Sequence, residues 1–196
     1  ETYLRSEKYF NNINFTSCSD INMDLADKIS RENNLKALTV DELLNDKNTD
    51  VVLNITIPQA HYEISKKTLQ SGKHVYSEKP MCVKYDEAKE LLKLAKDSSL
   101  YIGNAPDTFL GGGVQLSRKI IDDGSIGQIL TGNFIFAFPG VQDFHPKPES
   151  WFQEGGGPVI DMGPYFFTTL VNLLGPAKNV RGRGAKFFDK REYKVG

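Results

Sequence analysis

Val51-Val52-Leu53-Asn54-Ile55-Thr56-Ile57, closed by Pro58, is a near-continuous apolar run about as long as one β-strand. A strand with one wet face alternates polar and apolar residues, so a run of this kind belongs to a sheet covered on both faces. Crossover helices provide such cover, and the flanking sequence supplies them. Upstream, 15–19 reads as a strand, 25–33 as a helix and 41–45 as a short helix capped by Asp41. Downstream, 61–70 reads as a helix stopped at Ser71-Gly72, with Gly72 suited to a left-handed cap. A short strand is expected over 74–77. Ala88, Leu91, Leu92 and Ala95 then fall at i, i+3, i+4 and i+7, which puts one apolar stripe on a helix over 86–96. A strand over 101–104 ends the alternation.

After Gly111-Gly112-Gly113 the rhythm changes. The pattern predicts a helix over 114–123, a turn at Asp123-Gly124, a long β-rich segment over 128–138 and a proline-rich and aromatic loop over 139–152. An apolar helix over 164–174, ended by Gly175-Pro176, and a strand over 180–188 follow. A long strand suits an antiparallel sheet better than another crossover unit. The expected architecture is therefore α/β. A Rossmann-like doubly wound parallel sheet occupies 1–108, and part of an α+β domain with an open, mainly antiparallel sheet occupies 109–196. Residues 1–6 read as an exposed helix with no strand before it, and no GxGxxG loop follows a first strand. The first strand and glycine loop are thus expected to lie upstream of Glu1, and the chain is expected to be incomplete at both ends.

The charge balance, 24 Lys plus Arg against 25 Asp plus Glu, gives no basic field for nucleic acid. No apolar run is long enough for a membrane span, and no signal peptide opens the chain. Cys18 and Cys82 form neither a CxxC pair nor a disulfide framework, which fits a reducing cytoplasm. His61, His74 and His145 make no metal-ligand pattern with nearby acids, so no catalytic metal is expected. No GxSxG elbow or GxxxxGK loop occurs either.

Ligands of a doubly wound sheet sit beyond the carboxyl ends of its strands. The cofactor-contact candidates are therefore Asp20, Ile21 and Asn22, then Thr56, Ile57 and Pro58 with His61, then Glu78 and Lys79, and finally Asn104. An acidic residue after the second strand accepts hydrogen bonds from ribose hydroxyls and repels a 2′-phosphate, so Asp20 favours NAD over NADP. Its plainer reading is a cap on the helix nearby.

Three motifs in order, Pro58-x-x-His61, Gly72-Lys73-His74-Val75-Tyr76-Ser77-Glu78-Lys79-Pro80 and Gly155-Gly156-Gly157-Pro158-Val159-Ile160-Asp161-Met162-Gly163-Pro164-Tyr165, resemble the Gfo/Idh/MocA family. The resemblance runs over essentially the whole chain. It implies an NAD(P)-dependent oxidoreductase that moves a hydride between the nicotinamide and a secondary alcohol or ketone of a sugar, cyclitol or related polyol. It also implies a homodimer or homotetramer when full length. Lys79 matches the lysine of the Glu-Lys-Pro motif, beside the nicotinamide and against the reacting oxygen, where an ammonium stabilises alkoxide charge. The Lys79-Pro80 bond is of the kind that tolerates the cis form.

Asp161 and Tyr165 match the family's Asp-x-x-x-His positions, with tyrosine in place of the common histidine. A free phenol, with a pKa near ~10, is a poor base unless a nearby cation favours its phenolate. The expectation is a Tyr165–Lys79 acid/base pair, similar in logic to that of short-chain dehydrogenases, with Asp161 holding substrate hydroxyls. The plainer alternatives are a turn lysine at 79, a helix cap at Asp161 and a core-helix start at Tyr165-Phe166-Phe167. His145 and Trp151, in the loop expected to cover the substrate pocket, are substrate-contact candidates, against an ordinary loop histidine. Two other functions fit the resemblance: a glycoside hydrolase that uses bound NAD transiently, and a non-catalytic nucleotide-binding protein.

Overall fold

The computed structural model describes residues 2–145, 148–190 and 192. Glu1 of the expected first helix, and Pro146 and Lys147 of the aromatic loop, lie outside the described residues. The chain divides into two compact units that are not contiguous in sequence. One comprises Glu1–Asn54, Glu63–Tyr76 and Glu90–Gly103; the other comprises Ile55–Tyr62, Ser77–Lys89 and Asn104–Gly196. The loops at the carboxyl ends of the later strands thus belong to the second unit.

The first unit opens with α1 (Thr2–Ser6), then β1 (Ser17–Cys18), α2 (Met23–Asn33), β2 (Lys36–Ala37) and α3 (Val40–Asn45). β1 and β2 pair in parallel, Ser17 opposite Lys36 and Cys18 opposite Ala37. Asn22, and not Asp20, caps α2, its side chain accepting from the Asp24 backbone N–H. Asp41 does not cap α3 either. Thr39 does, in a reciprocal box with Glu42, because the cap must sit one residue before the first helical turn.

β3 (Val51–Asn54), β4 (His74–Ser77) and β5 (Ile102–Asn104) form a second sheet in that order. The Val75 N–H donates to the Tyr101 carbonyl and the Ala105 N–H to that of Ser77, both partners advancing together, so β4 and β5 run parallel. β3 is shorter than the expected 51–57, because Pro58 opens α4 (Pro58–Gln70) instead of merely stopping a strand. A first-turn proline loses no helical hydrogen bond. At the other end of α4, Gly72 at φ 79° lets its own N–H reach the Leu69 carbonyl and that of Lys73 reach Thr68, closing the helix.

Leu69 from α4, Val52 and Val75 from the strands, and Leu91 and Ala95 from α5 (Tyr85–Asp97) are buried. Each large aliphatic side chain so placed contributes about 1.5–3 kcal/mol. Two polar groups inside this core find partners. Asn54 donates to Ser65 at 3.0 Å, and the buried Lys73 ammonium donates to the Asp46 and Thr49 carbonyls at 2.6 and 2.8 Å.

The second unit carries α6 (Gly112–Asp122) and α7 (Gly163–Leu174), the latter entered through a π-helical turn over Pro158–Met162. Arg118 of α6 donates to the Asn172 and Leu173 carbonyls at 3.0 and 2.6 Å, satisfying two orphan acceptors where α7 ends. The strands expected over 128–138 and 180–188 do not form: among the described residues no strand follows β5. A strand needs a partner for its backbone ladder, and none lies beside these segments among the described residues. The alternation of Phe134, Phe136 and Phe138 is spent on side-chain packing instead. Phe134 and Phe136 lie 4.2 and 5.1 Å from the Phe166 ring, and Phe138 lies 6.2 Å from Trp151.

Candidate active site

Lys79 follows β4 in the turn Ser77-Glu78-Lys79-Pro80, whose Lys79-Pro80 peptide is cis. Two side chains hold this turn. Asn104, at the end of β5, donates from Nδ2 to the carbonyls of Ser77 and Glu78 at 2.9 and 3.0 Å. The Glu78 carboxylate accepts from the Lys79 backbone N–H at 3.0 Å. Asn104 and Glu78 therefore shape the loop that presents Lys79.

The Lys79 side chain is 14 % exposed and its ammonium meets Asp161 twice, at the carboxylate Oδ1 (2.5 Å) and at the backbone carbonyl (3.0 Å). The same nitrogen stands 5.1 Å from the centroid of the Tyr165 ring. Asp161 ends up here because Gly157, at φ 84°, turns the chain into the π-helical segment, and Tyr165 lies at the start of α7. The three residues singled out for chemistry thus converge. The pairing differs in detail from the sequence reading, since the aspartate carboxylate grips the ammonium directly and the tyrosine meets it through its ring face.

His61 is 1 % exposed and both ring nitrogens face backbone carbonyls, Nδ1 that of Pro80 at 2.6 Å and Nε2 that of Thr56 at 2.9 Å. A ring so enclosed reaches the site through the Pro80 backbone, not as an open cofactor contact. Gln59, which the sequence reading passed over, donates from Nε2 to the Glu154 carbonyl at 2.7 Å. Nothing in residue type or spacing marks it. Trp151 packs edge-on against Phe138, and His145 is exposed, its backbone N–H bonded to Val141.

In the first unit, the end of β1 is open. Ile21 is fully exposed, and Ser19 Oγ is buried with no hydrogen-bond partner among the described residues. Asp20 Oδ1 accepts from the Asn22 N–H at 2.8 Å, fixing its carboxylate beside the bare isoleucine. An apolar platform beside an anchored acid fits an adenosine. In the second unit Thr56 and Ile57 are exposed and Pro58 half-buried at the end of β3, which fits contact with a nucleotide. Among the described residues no three His, Cys, Asp or Glu side chains gather as metal ligands.

The family model described as "Oxidoreductase family, NAD-binding Rossmann fold" matches residues 4–104, and that described as "GFO/IDH/MocA C-terminal domain" matches 114–195. The chain belongs to the Gfo/Idh/MocA oxidoreductase family. Gfo/Idh/MocA relatives include an uncharacterized oxidoreductase of Schizosaccharomyces pombe, 35% identical over 74% of this chain and 39% of its own length. A D-xylose dehydrogenase of Paenarthrobacter nicotinovorans is 28% identical over 80% of this chain and 42% of its own. The WlbA dehydrogenase of Chromobacterium violaceum, solved with NADH and UDP-GlcNAcA, shares the fold at a TM-score of 0.73 and 17% identity. That match covers 89% of this chain and 52% of WlbA. The chain spans about two fifths of the length of these curated relatives.

Proposed function

We propose that the full-length protein carrying this chain transfers a hydride between NAD and a secondary alcohol or ketone of a sugar, cyclitol or related polyol. The observation that carries the reading is the Lys79–Asp161 contact, with Tyr165 against the same ammonium. The bound nicotinamide supplies the hydride acceptor or donor. Asp20, Ile21 and Asn22 would hold its adenosine end; Thr56, Ile57, Pro58 and the Glu78–Lys79 turn would line the nicotinamide end.

In the oxidative direction, the Lys79 ammonium donates a hydrogen bond to the substrate hydroxyl and stabilises the alkoxide charge that grows as the carbon gives up its hydride. Asp161 fixes the ammonium through Oδ1 and offers its other carboxylate oxygen to a neighbouring substrate hydroxyl. Tyr165, having released its own proton to solvent, accepts the hydroxyl proton as phenolate and returns to the phenol. His145 and Trp151 contact the sugar, Trp151 through its face.

A homodimer or homotetramer belongs to this proposal, supported by the exposed Leu130 and Ile135 on the aromatic segment. Residence in the cytoplasm is proposed from the two free cysteines, Cys18 and Cys82; no described helix is long and apolar enough to cross a membrane.

The test is NADH formation by the full-length protein over a panel of aldoses, inositols and anhydrosugars. Turnover of at least one member is expected, with Lys79→Met abolishing it. No nucleotide reduction or oxidation across the panel would overturn the reading, and an unchanged rate in Tyr165→Phe would remove the phenol from proton transfer.

A further inference from the structure

The arms that carry Lys79 and Asp161 are 82 residues apart in sequence, and their pairing needs each arm to be held from outside. The first turn of α4 touches both. His61 faces the Pro80 carbonyl, one residue after Lys79, and the Thr56 carbonyl behind it. Carbonyl oxygens only accept, so each ring nitrogen that bonds does so as a donor. Two residues earlier, Gln59 donates to the Glu154 carbonyl. Glu154 leads into Gly155, whose φ of 89° turns the chain close over α4: an added Cβ would lie 2.9 Å from Val83 and 3.5 Å from Pro58 and from Gln59 Nε2. The glycine turn is thus seated on the same first turn, shortly before the π-helical segment bearing Asp161.

We infer that Gln59 and His61 are a pair of positioning residues, a bracket on α4 that holds the two arms in the register at which Lys79 meets Asp161. The inference rests on the reading of Lys79 and Asp161 as reacting groups. Neither bracket residue touches the reacting atoms. His61 works from a buried position, so its loss also loosens the packing beneath it. Gln59 is exposed, and its amide adds little to the core, so its effect is local to the Glu154 arm.

The test uses the full-length protein and two substitutions of the exposed member. Gln59→Glu keeps the shape but sets an acceptor against the Glu154 carbonyl, whereas Gln59→Lys keeps a donor. The first readout is the rate at which an amine-reactive ester acylates Lys79, followed by peptide mass spectrometry, which requires no turnover. Loss of one positioning hydrogen bond raises that rate about tenfold in Gln59→Glu and leaves it near wild type in Gln59→Lys. The second readout is steady-state kinetics: kcat falls about tenfold in Gln59→Glu while KM for the nucleotide holds. His61→Gln, compared only if its melting midpoint matches wild type, shows the same pattern. Equal acylation of Lys79 in wild type and Gln59→Glu, or equal behaviour of the Glu and Lys substitutions, overturns the bracket. Because acylation does not depend on substrate, an inactive panel would sink the oxidoreductase reading without deciding this one.

Discussion

Replacing Asp161 by asparagine probes the contact on which the proposed chemistry depends. Lys79 and Asp161 are 14 % and 30 % exposed, so water screens the pair only in part. Unit charges about 4 Å apart attract by roughly 4 kcal/mol at an effective dielectric near 20. Desolvating the ammonium cancels a large share of that. Asparagine still offers an oxygen to the Lys79 Nζ, and the Asp161 backbone carbonyl keeps its own bond. What is lost is the difference between a charge-assisted and a neutral hydrogen bond, about 1–2 kcal/mol. For a chain of this size that lowers the melting midpoint by roughly 3–6 °C. Turnover falls further, by about 10²-fold, because an ammonium displaced by even ~1 Å no longer meets the reacting oxygen. Thermal melting by circular dichroism gives the first quantity and NADH formation by the full-length protein the second. A variant that melts like wild type would show that the carboxylate does not bear on the ammonium. One that melts lower yet turns over at the wild-type rate would refute the role of the pair.

Thr39→Ala removes the cap of α3 and is expected to cost about 1 kcal/mol in urea unfolding at neutral pH. The Thr39 backbone N–H and hydroxyl hold the Glu42 carboxyl below its ordinary value of 4.5, so its contribution is present above that pH and is lost as pH falls through the lowered folded value. Thr39→Ala keeps the backbone N–H, the larger of the two causes, and removes only the hydroxyl, so the acid limb of the stability profile should flatten in part. Burial, and then the charge of Glu87, push the Cys82 thiol up to about 11. Native Cys82 should react slowly with iodoacetamide at neutral pH and speed up as pH approaches 11. The folded thiol keeps its proton longer than the unfolded one, so this group lowers stability as pH rises from 9.0 toward 11. Gly156→Ala would set a Cβ 2.5 and 2.6 Å from the Trp151 and Ser150 carbonyl oxygens, backbone atoms that cannot step aside. A loss of about 1–3 kcal/mol is expected in denaturant titration, and an unchanged midpoint would show that the turn has another shape.

Local chemistry made much of the first unit legible in the sequence. The helix α5 with Leu91 and Ala95 on its buried side, though not Leu92, which is exposed, the glycine that closes α4 and the strand β4 all follow from side-chain period and backbone freedom within a few residues. The resemblance to a family, carried by an ordered set of motifs and not by period or caps, is what singled out Lys79, Asp161 and Tyr165. Local chemistry misjudged segments whose state depends on a distant partner. Residues 128–138 have the alternation of a strand, yet without a neighbouring ladder they remain irregular and their phenylalanines pack on Phe166 and Trp151.

The linear order of residues was enough to identify an α/β nucleotide fold, because periodicity, caps and motifs are short-range properties. Only the folded chain decided who holds whom: that Asp161 grips Lys79, that Tyr165 offers its ring, that His61 faces the backbone of Pro80, and that Gln59 reaches the Glu154 carbonyl. Those contacts join residues from 19 to 95 positions apart. No period or local propensity reports on such distances, and the geometry arises from packing the whole unit.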